Sequence, residues 1–320
     1  MTPTKVIFDT DPGIDDAMAI LFAHHSKAID LMGITTVLGN ASIETVTNNA
    51  LYLCEKFSIN SEVYQGAADA LWVDREAPPA FVHGEDGLGN INAAIPRKQA
   101  NQLSAVQYIV DTITANPHEI TLIAVGRLTN LAIALRTNPA IANLVKEVIV
   151  MGGALGSNEH TGNVTAVAEA NIYGDPHAAD IVLSADWPLT LVGLDVTMQC
   201  VMKSAAVATL RETAGQTGEF IWDITRHYED FYQRTRGVKG FPVHDSCAVA
   251  YIIAPELFTV RRGSLRVAVE GICRGQTILV PEGRQFPPGA WDGISISNGC
   301  VGVDADGLLD LYHQTLTHQN

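Results

Sequence analysis

The sequence predicts an α/β fold: a single domain with a mainly parallel, doubly wound (Rossmann-like) sheet flanked by helices, plus C-terminal helices and strands. Three observations predict it. Apolar runs of strand length alternate with stretches that repeat at helix spacing. Polar or glycine-containing clusters follow the ends of several runs. The chain is 320 residues long and 47% apolar, enough to bury a large core. No internal repeat or low-complexity linker divides it, so residues 1–320 read as one domain.

The elements follow in order. Val6-Ile7-Phe8 marks a buried strand over 5–9, Pro12-Gly13 forces a turn, and 14–25 carries a helical apolar pattern. A strand over 31–37 ends at Gly39-Asn40, before a helix over 43–57. A helix over 103–115 precedes a strand over 120–125. The cluster Gly126-Arg127-Leu128-Thr129-Asn130 then leads into a helix over 128–137. The strand over 147–151 ends at Gly152-Gly153. A helix over 176–183 and a strand over 189–193 bring the chain to Asp195. Helices near 204–213 and 218–234, a buried helix over 246–253 and late strands within 265–280 complete the pattern. Two segments read as loops over a site. Residues 74–95 carry Pro78-Pro79, His83, Gly84, Gly87 and Gly89, and 228–244 carry aromatic and basic residues with Gly237 and Gly240. Long loops in compact domains are often lids.

Bulk properties exclude several classes. A net charge of −15 with no run of Lys and Arg repels polyanions, so nucleic acid is not expected as a partner. No apolar stretch approaches membrane-spanning length, and no signal peptide is recognised at the N-terminus. The five cysteines are scattered without a C-x-x-C and read as reduced thiols of a cytoplasmic protein. P-loop, dinucleotide and zincin motifs do not occur.

What remains is a set of polar clusters at strand ends, where open α/β sheets bind ligands. Asp9, Asp11, Asp15 and Asp16 crowd one strand-to-helix turn. A single Asp there would read as a helix cap, but four repel one another and call for a bound cation or a phosphoryl group. Asp245, after His244 and before an apolar helix, either caps that helix or closes a cation shell. Asn163, Glu169 and Asn171 stand in a small, apolar stretch, either as a solvated loop or as partners for a polyol. Glu169 and Asn171 share a face if that stretch is extended. The run from His83 to Asn90 is either a mobile lid or an ordinary surface loop.

Taken together, these segments resemble the inosine–uridine-preferring nucleoside hydrolase family. Asp9-Thr10-Asp11-Pro12-Gly13-Ile14-Asp15-Asp16-Ala17 matches its signature nearly letter for letter. The likeness runs from Lys5 into the final helix through Gly39-Asn40, His83-Gly84, Gly126 to Asn130, Met151-Gly152-Gly153, Asn163 to Asn171, Asp175-Pro176 and His244-Asp245. The resemblance implies hydrolysis of the N-glycosidic bond of ribonucleosides to ribose and base. It implies one Ca²⁺ per subunit, held by Asp11, Asp15, Asp16, Asp245 and the Val125 carbonyl. Asp11 would be the general base toward the attacking water, and His244 would assist the leaving group with an imidazole titrating near pH 7. Asn40, Asn163, Glu169 and Asn171 would bind ribose, with Asp16 and Met151 beside the substrate. His83 would lie on the base side. Tyr228, Phe231, Tyr232 and Arg234 are either further contacts there, on the second loop, or core and surface residues of a helix. Both histidine positions being filled implies broad or pyrimidine-leaning base use. A homodimer or homotetramer is expected. Two rivals remain: a haloacid-dehalogenase-like Mg²⁺ phosphatase with Asp9 as nucleophile, and a non-catalytic nucleoside- or sugar-binding protein.

Overall fold

The computed structural model describes residues 2–74 and 77–317, so residues 75 and 76 of the first expected loop lie outside the description. Eleven strands and thirteen α-helices are described. The strands are β1 (Thr4–Thr10), β2 (Ile29–Thr36), β3 (Glu62–Gln65), β4 (Ile120–Ala124), β5 (Glu147–Met151), β6 (Leu189–Val192), β7 (Val201–Met202), β8 (Phe241–Pro242), β9 (Phe258–Val267), β10 (Thr277–Pro281) and β11 (Ile296–Val303). Nine of them form one sheet in the order β10-β9-β11-β6-β5-β4-β1-β2-β3. From β3 through β6 to β11 neighbouring strands run parallel, and β9 and β10 are added antiparallel. The parallel part has the doubly wound order, which reverses between β1 and β4.

The helices are α1 (Ile14–His25), α2 (Ile43–Lys56), α3 (Ala80–His83), α4 (Ala105–Ala115), α5 (Thr129–Thr137), α6 (Ile141–Leu144), α7 (Ala170–Gly174), α8 (Pro176–Leu183), α9 (Leu194–Thr197), α10 (Ser204–Thr213), α11 (Gly215–Arg236), α12 (His244–Ile253) and α13 (Ala305–Thr317). They cover both sheet faces. Strand side chains alternate between faces, so Phe8, Ile34, Ile123, Ile149 and Val192 join α1, α11, α12 and α13 in one apolar layer. Ile7, Leu122, Val148 and Leu191 join α4, α5 and α8 in the other. Helix α1 is buried from Ile14 to Ala23, which explains a pattern apolar nearly all round.

Most expected elements form within two residues of their expected ends. The second loop does not. Residues 228–236 are the last turns of α11, which ends where Gly237 takes φ 65°. Phe220, Ile221, Ile224, Tyr228 and Tyr232 make one buried stripe, so of the two readings the helix over 218–234 prevails over the loop where they overlap. The late strands begin earlier, at Phe258, and β11 follows them. None of the five cysteines is in a disulfide. Among the described residues no helix is long and apolar enough to cross a membrane.

Candidate active site

At the carboxyl end of β1 the chain turns through Pro12-Gly13 straight into α1. Asp16, in the first turn of α1, reaches back to the groups that lead into the helix. Its Oδ2 accepts the Gly13 N–H at 2.9 Å, and its Oδ1 accepts the Thr10 hydroxyl at 2.6 Å and the Asp11 N–H at 3.2 Å. Asn40, from the turn after β2, donates its side-chain N–H to Asp16 Oδ2 and its backbone N–H to Asp11 Oδ2, both at 2.8 Å. Asp15 accepts the Tyr228 hydroxyl at 3.3 Å. From the start of α12, Asp245 completes a buried group with Asp15 and Asp16 in which one carboxylate oxygen from each lies within 4.8 Å of the others. Asp11 stands beside them, and its buried Oδ1 has no hydrogen-bond partner.

Burial raises all four carboxyls, Asp15 to about 8. Repulsion from Asp16 adds at Asp11 and Asp15, and repulsion from Asp15 at Asp245, while Arg127 offsets part of the rise at Asp11. Ionised together in the interior they need a counter-charge. An all-oxygen set with an unpartnered buried oxygen fits a hard divalent cation. The Val125 carbonyl lines the same cavity and accepts the Asn171 side-chain N–H at 2.7 Å, which leaves it a second lone pair.

This arrangement has a pH signature. Carboxyls raised in the folded state, Asp9 to about 7 and Asp15 to about 8, add stability that is complete below about pH 4 and lost as pH rises through those values. Metal-free protein is therefore expected to melt at progressively lower temperature from pH 5 to pH 9. A saturating divalent cation should flatten or reverse that fall, because cation affinity rises as the acids deprotonate. Calorimetry on both forms checks this, and parallel melting curves across the range would mean that the acids do not share a cation.

Other elements close a cavity of about 180 Å³ over the acids. Met151 ends β5. In the loop beyond it, Asn163 accepts the Ala170 N–H at 3.0 Å. Glu169 has an extended backbone, with φ −88° and ψ 152°, at the point where the chain enters a helix. It is the N-cap of α7, accepting the Gly153, Asn171 and Ile172 N–H groups at 2.9, 3.0 and 3.2 Å. Asn171, one helical step on, still lines the same wall. Helix α11 supplies Tyr228, Phe231, Tyr232 and Arg236, while Arg234 points to Asp230 at 2.8 Å and does not line the cavity. Phe81, on α3, is 67% exposed at the mouth.

The two histidines sit differently from one another. His83 Nδ1 accepts the Ile14 N–H at 3.3 Å, so its proton is on Nε2, and burial holds the ring down at about 3. His244 Nδ1 lies 2.7 Å from the Thr197 hydroxyl and Nε2 lies 3.0 Å from the Tyr232 hydroxyl. Burial, then the charges of Arg236 and His160, push His244 down to about 4. The imidazole expected to titrate near pH 7 is therefore neutral there, because it sits inside a protein wall rather than in water.

Two expected acids lie elsewhere. Asp9 is fully buried under the site, accepting Thr35 at 2.6 Å and Asn130 at 2.8 Å; like it, Asp11 and Asp16 lie behind the cavity wall, to which Asp15 and Asp245 contribute. Asp195 accepts the Leu155 and Ser157 N–H groups and braces that loop. Thr197 and Arg236 were not found from sequence. Thr197 has no local signal, whereas Arg236 continues the Tyr228–Tyr232 spacing by one more turn.

The chain matches the inosine-uridine preferring nucleoside hydrolase family over residues 6–310. Uridine nucleosidase 1 of Arabidopsis thaliana is 37% identical over 309 residues, 96% of this chain and 91% of the relative. A solved plant nucleoside hydrolase superposes with a TM-score of 0.95 at 35% identity, covering 99% of this chain and 100% of its own. A purine-preferring ribonucleoside hydrolase from Gardnerella vaginalis does so at 0.91 and 34%, covering 98% of each.

Proposed function

We propose that this chain, which belongs to the inosine-uridine preferring nucleoside hydrolase family and hydrolyses the N-glycosidic bond of ribonucleosides, works with one Ca²⁺ per subunit and with broad or pyrimidine-leaning base use. The observation that carries the metal reading is the buried oxygen cluster of Asp15, Asp16 and Asp245, with the unpartnered Oδ1 of Asp11 beside it. These four and the Val125 carbonyl would hold the ion.

When bound, Ca²⁺ supplies a hard Lewis acid that polarises a water and orients ribose hydroxyls. Asp11 Oδ1 accepts the proton of the attacking water. Asp16, Asn40, Asn163, Glu169 and Asn171 orient the sugar beside Met151, with carboxylates and amide oxygens facing the positive charge that grows as the C–N bond breaks. His83, Tyr228 and Tyr232 line the base side. The neutral His244, paired with the Tyr232 hydroxyl, takes up a proton from solvent as negative charge builds on the base and passes it there, while the proton that Asp11 took from the attacking water returns to solvent. The residues named come from a single chain, so a homodimer or homotetramer would carry one complete site per subunit. A cytoplasmic location goes with this reading, supported by free thiols, four of them buried. A uridine-named relative and a purine-preferring structural neighbour at similar identity support broad base use.

The phosphatase rival makes Asp9 its nucleophile, but one oxygen of Asp9 is tied to Thr35 and Asn130 and its side chain is no part of the clustered acids. The test is free ribose released from uridine, cytidine, inosine and adenosine, with and without chelator, and phosphate released from the 5′-nucleotides. Chelator-sensitive ribose release without phosphate release is expected, and the four rates rank the bases. Phosphate from nucleotides with no ribose from any nucleoside would overturn the reading.

A further inference from the structure

We propose that Asn49 is a positioning residue for the reaction, one amide that locks the acidic turn to the loop carrying His83. The proposal rests on the hydrolase reading above. Asn49 lies in α2, whose apolar residues Ile43, Val46, Ala50 and Leu53 face the core, and is itself 6% exposed. A buried amide needs partners. Its Nδ2 donates to the Pro12 carbonyl at 3.0 Å and to the Asp86 carbonyl at 2.9 Å. Pro12 belongs to the turn that presents Asp11, Asp15 and Asp16. Asp86 lies three residues beyond His83.

The loop is braced from within. The Asp86 carboxylate accepts the N–H groups of Leu88, Asn90 and Asn92 at 2.8, 2.8 and 3.0 Å. The Gly89 N–H donates to the His83 carbonyl at 2.8 Å, and the Leu88 side chain is fully buried. At Gly87, φ is +76°, and a Cβ there would come within 2.9 Å of Asn49 Nδ2 and 3.4 Å of the Pro12 carbonyl. The loop is thus pressed onto the turn at the point where Asn49 joins them. Fixing Asp86 fixes His83, which meets the Ile14 N–H at 3.3 Å and stands 3.9 Å from Asp15 Oδ1.

Asn49→Leu keeps the volume and removes both donors. A small misplacement at a reacting centre is costly, so kcat/KM for uridine should fall about 10-fold to 100-fold. If Asn49 acts through His83, the same substitution made on a His83→Ala background should cost less than about 2-fold, because coupled sites are not additive. Amide exchange should quicken at Leu88 and Asn90 and stay unchanged in β1 and β4. Asn49→Ser, which retains one donor, should fall between the two and serves if the leucine variant does not fold. Equal losses in both backgrounds, or a folded variant with unchanged kinetics and exchange, would overturn the proposal. Failure of the hydrolase reading is distinguishable, since it shows as no ribose release from the unsubstituted protein.

Discussion

Asp11→Asn is expected to lower kcat for ribose release by at least ~10²-fold, the scale of a positioned general base, in a protein that still folds. The geometry leaves the new amide little choice. Asn40 presents a backbone N–H to Oδ2 at 2.8 Å, so the amide oxygen takes that place and the NH₂ takes the place of Oδ1. Rotation to another position is blocked by close backbone on two sides. A Cβ added at Gly39 would lie 1.7 Å from Asp11 Oδ2, and one at Gly126 would lie 2.6 Å from Oδ1. The unpartnered acceptor thus becomes a donor that can neither take a proton from water nor face a cation. Cation affinity should fall as well, so rates are compared at saturating metal, with loading measured by calorimetric titration. A near-native rate in the folded, loaded variant would remove Asp11 from the role of base.

Much of this site was legible in the sequence because its parts are local. Asp11, Asp15 and Asp16 lie within one turn whose strand, Pro-Gly break and buried helix each have their own pattern, and Asp245 and His244 open a second apolar helix. Legibility failed where a pattern was too short or two patterns overlapped. β3 offers only Val63 and Tyr64 between polar neighbours, and β11 is interrupted by Asn298, Gly299 and Gly302. Helix α7 has five residues and depends on Glu169 for its cap, so no periodicity marks it. A helix pattern over 218–234 and the loop signals of Gly237 and Gly240 overlapped at 228–234, where the structure keeps the helix. The partnerships of Asn49 with Pro12, and of Thr197 with His244, span 37 and 47 residues. No local rule reaches that far. Likewise, burial by distant elements set the neutrality of His244 at pH 7.

That neutrality leads to a second large effect. His244→Ala should lower kcat on uridine or inosine by ~10²-fold to 10⁴-fold, the range for general acid catalysis, and on para-nitrophenyl riboside by less than about 10-fold. A nucleobase leaves as a poor anion unless it receives a proton, whereas para-nitrophenolate leaves unaided, so only the former depends on a donor. Held at about 4, His244 stores no proton at pH 7. The ring therefore takes up a solvent proton as charge builds and passes it to the base, with Tyr232 at 3.0 Å on Nε2 and Thr197 at 2.7 Å on Nδ1 holding it in place. Tyr232→Phe should share the substrate dependence with a smaller loss, because the imidazole itself remains. Equal losses on both substrates would instead assign His244 to holding its neighbour Asp245 in place, since disturbing an oxygen ligand slows every leaving group alike.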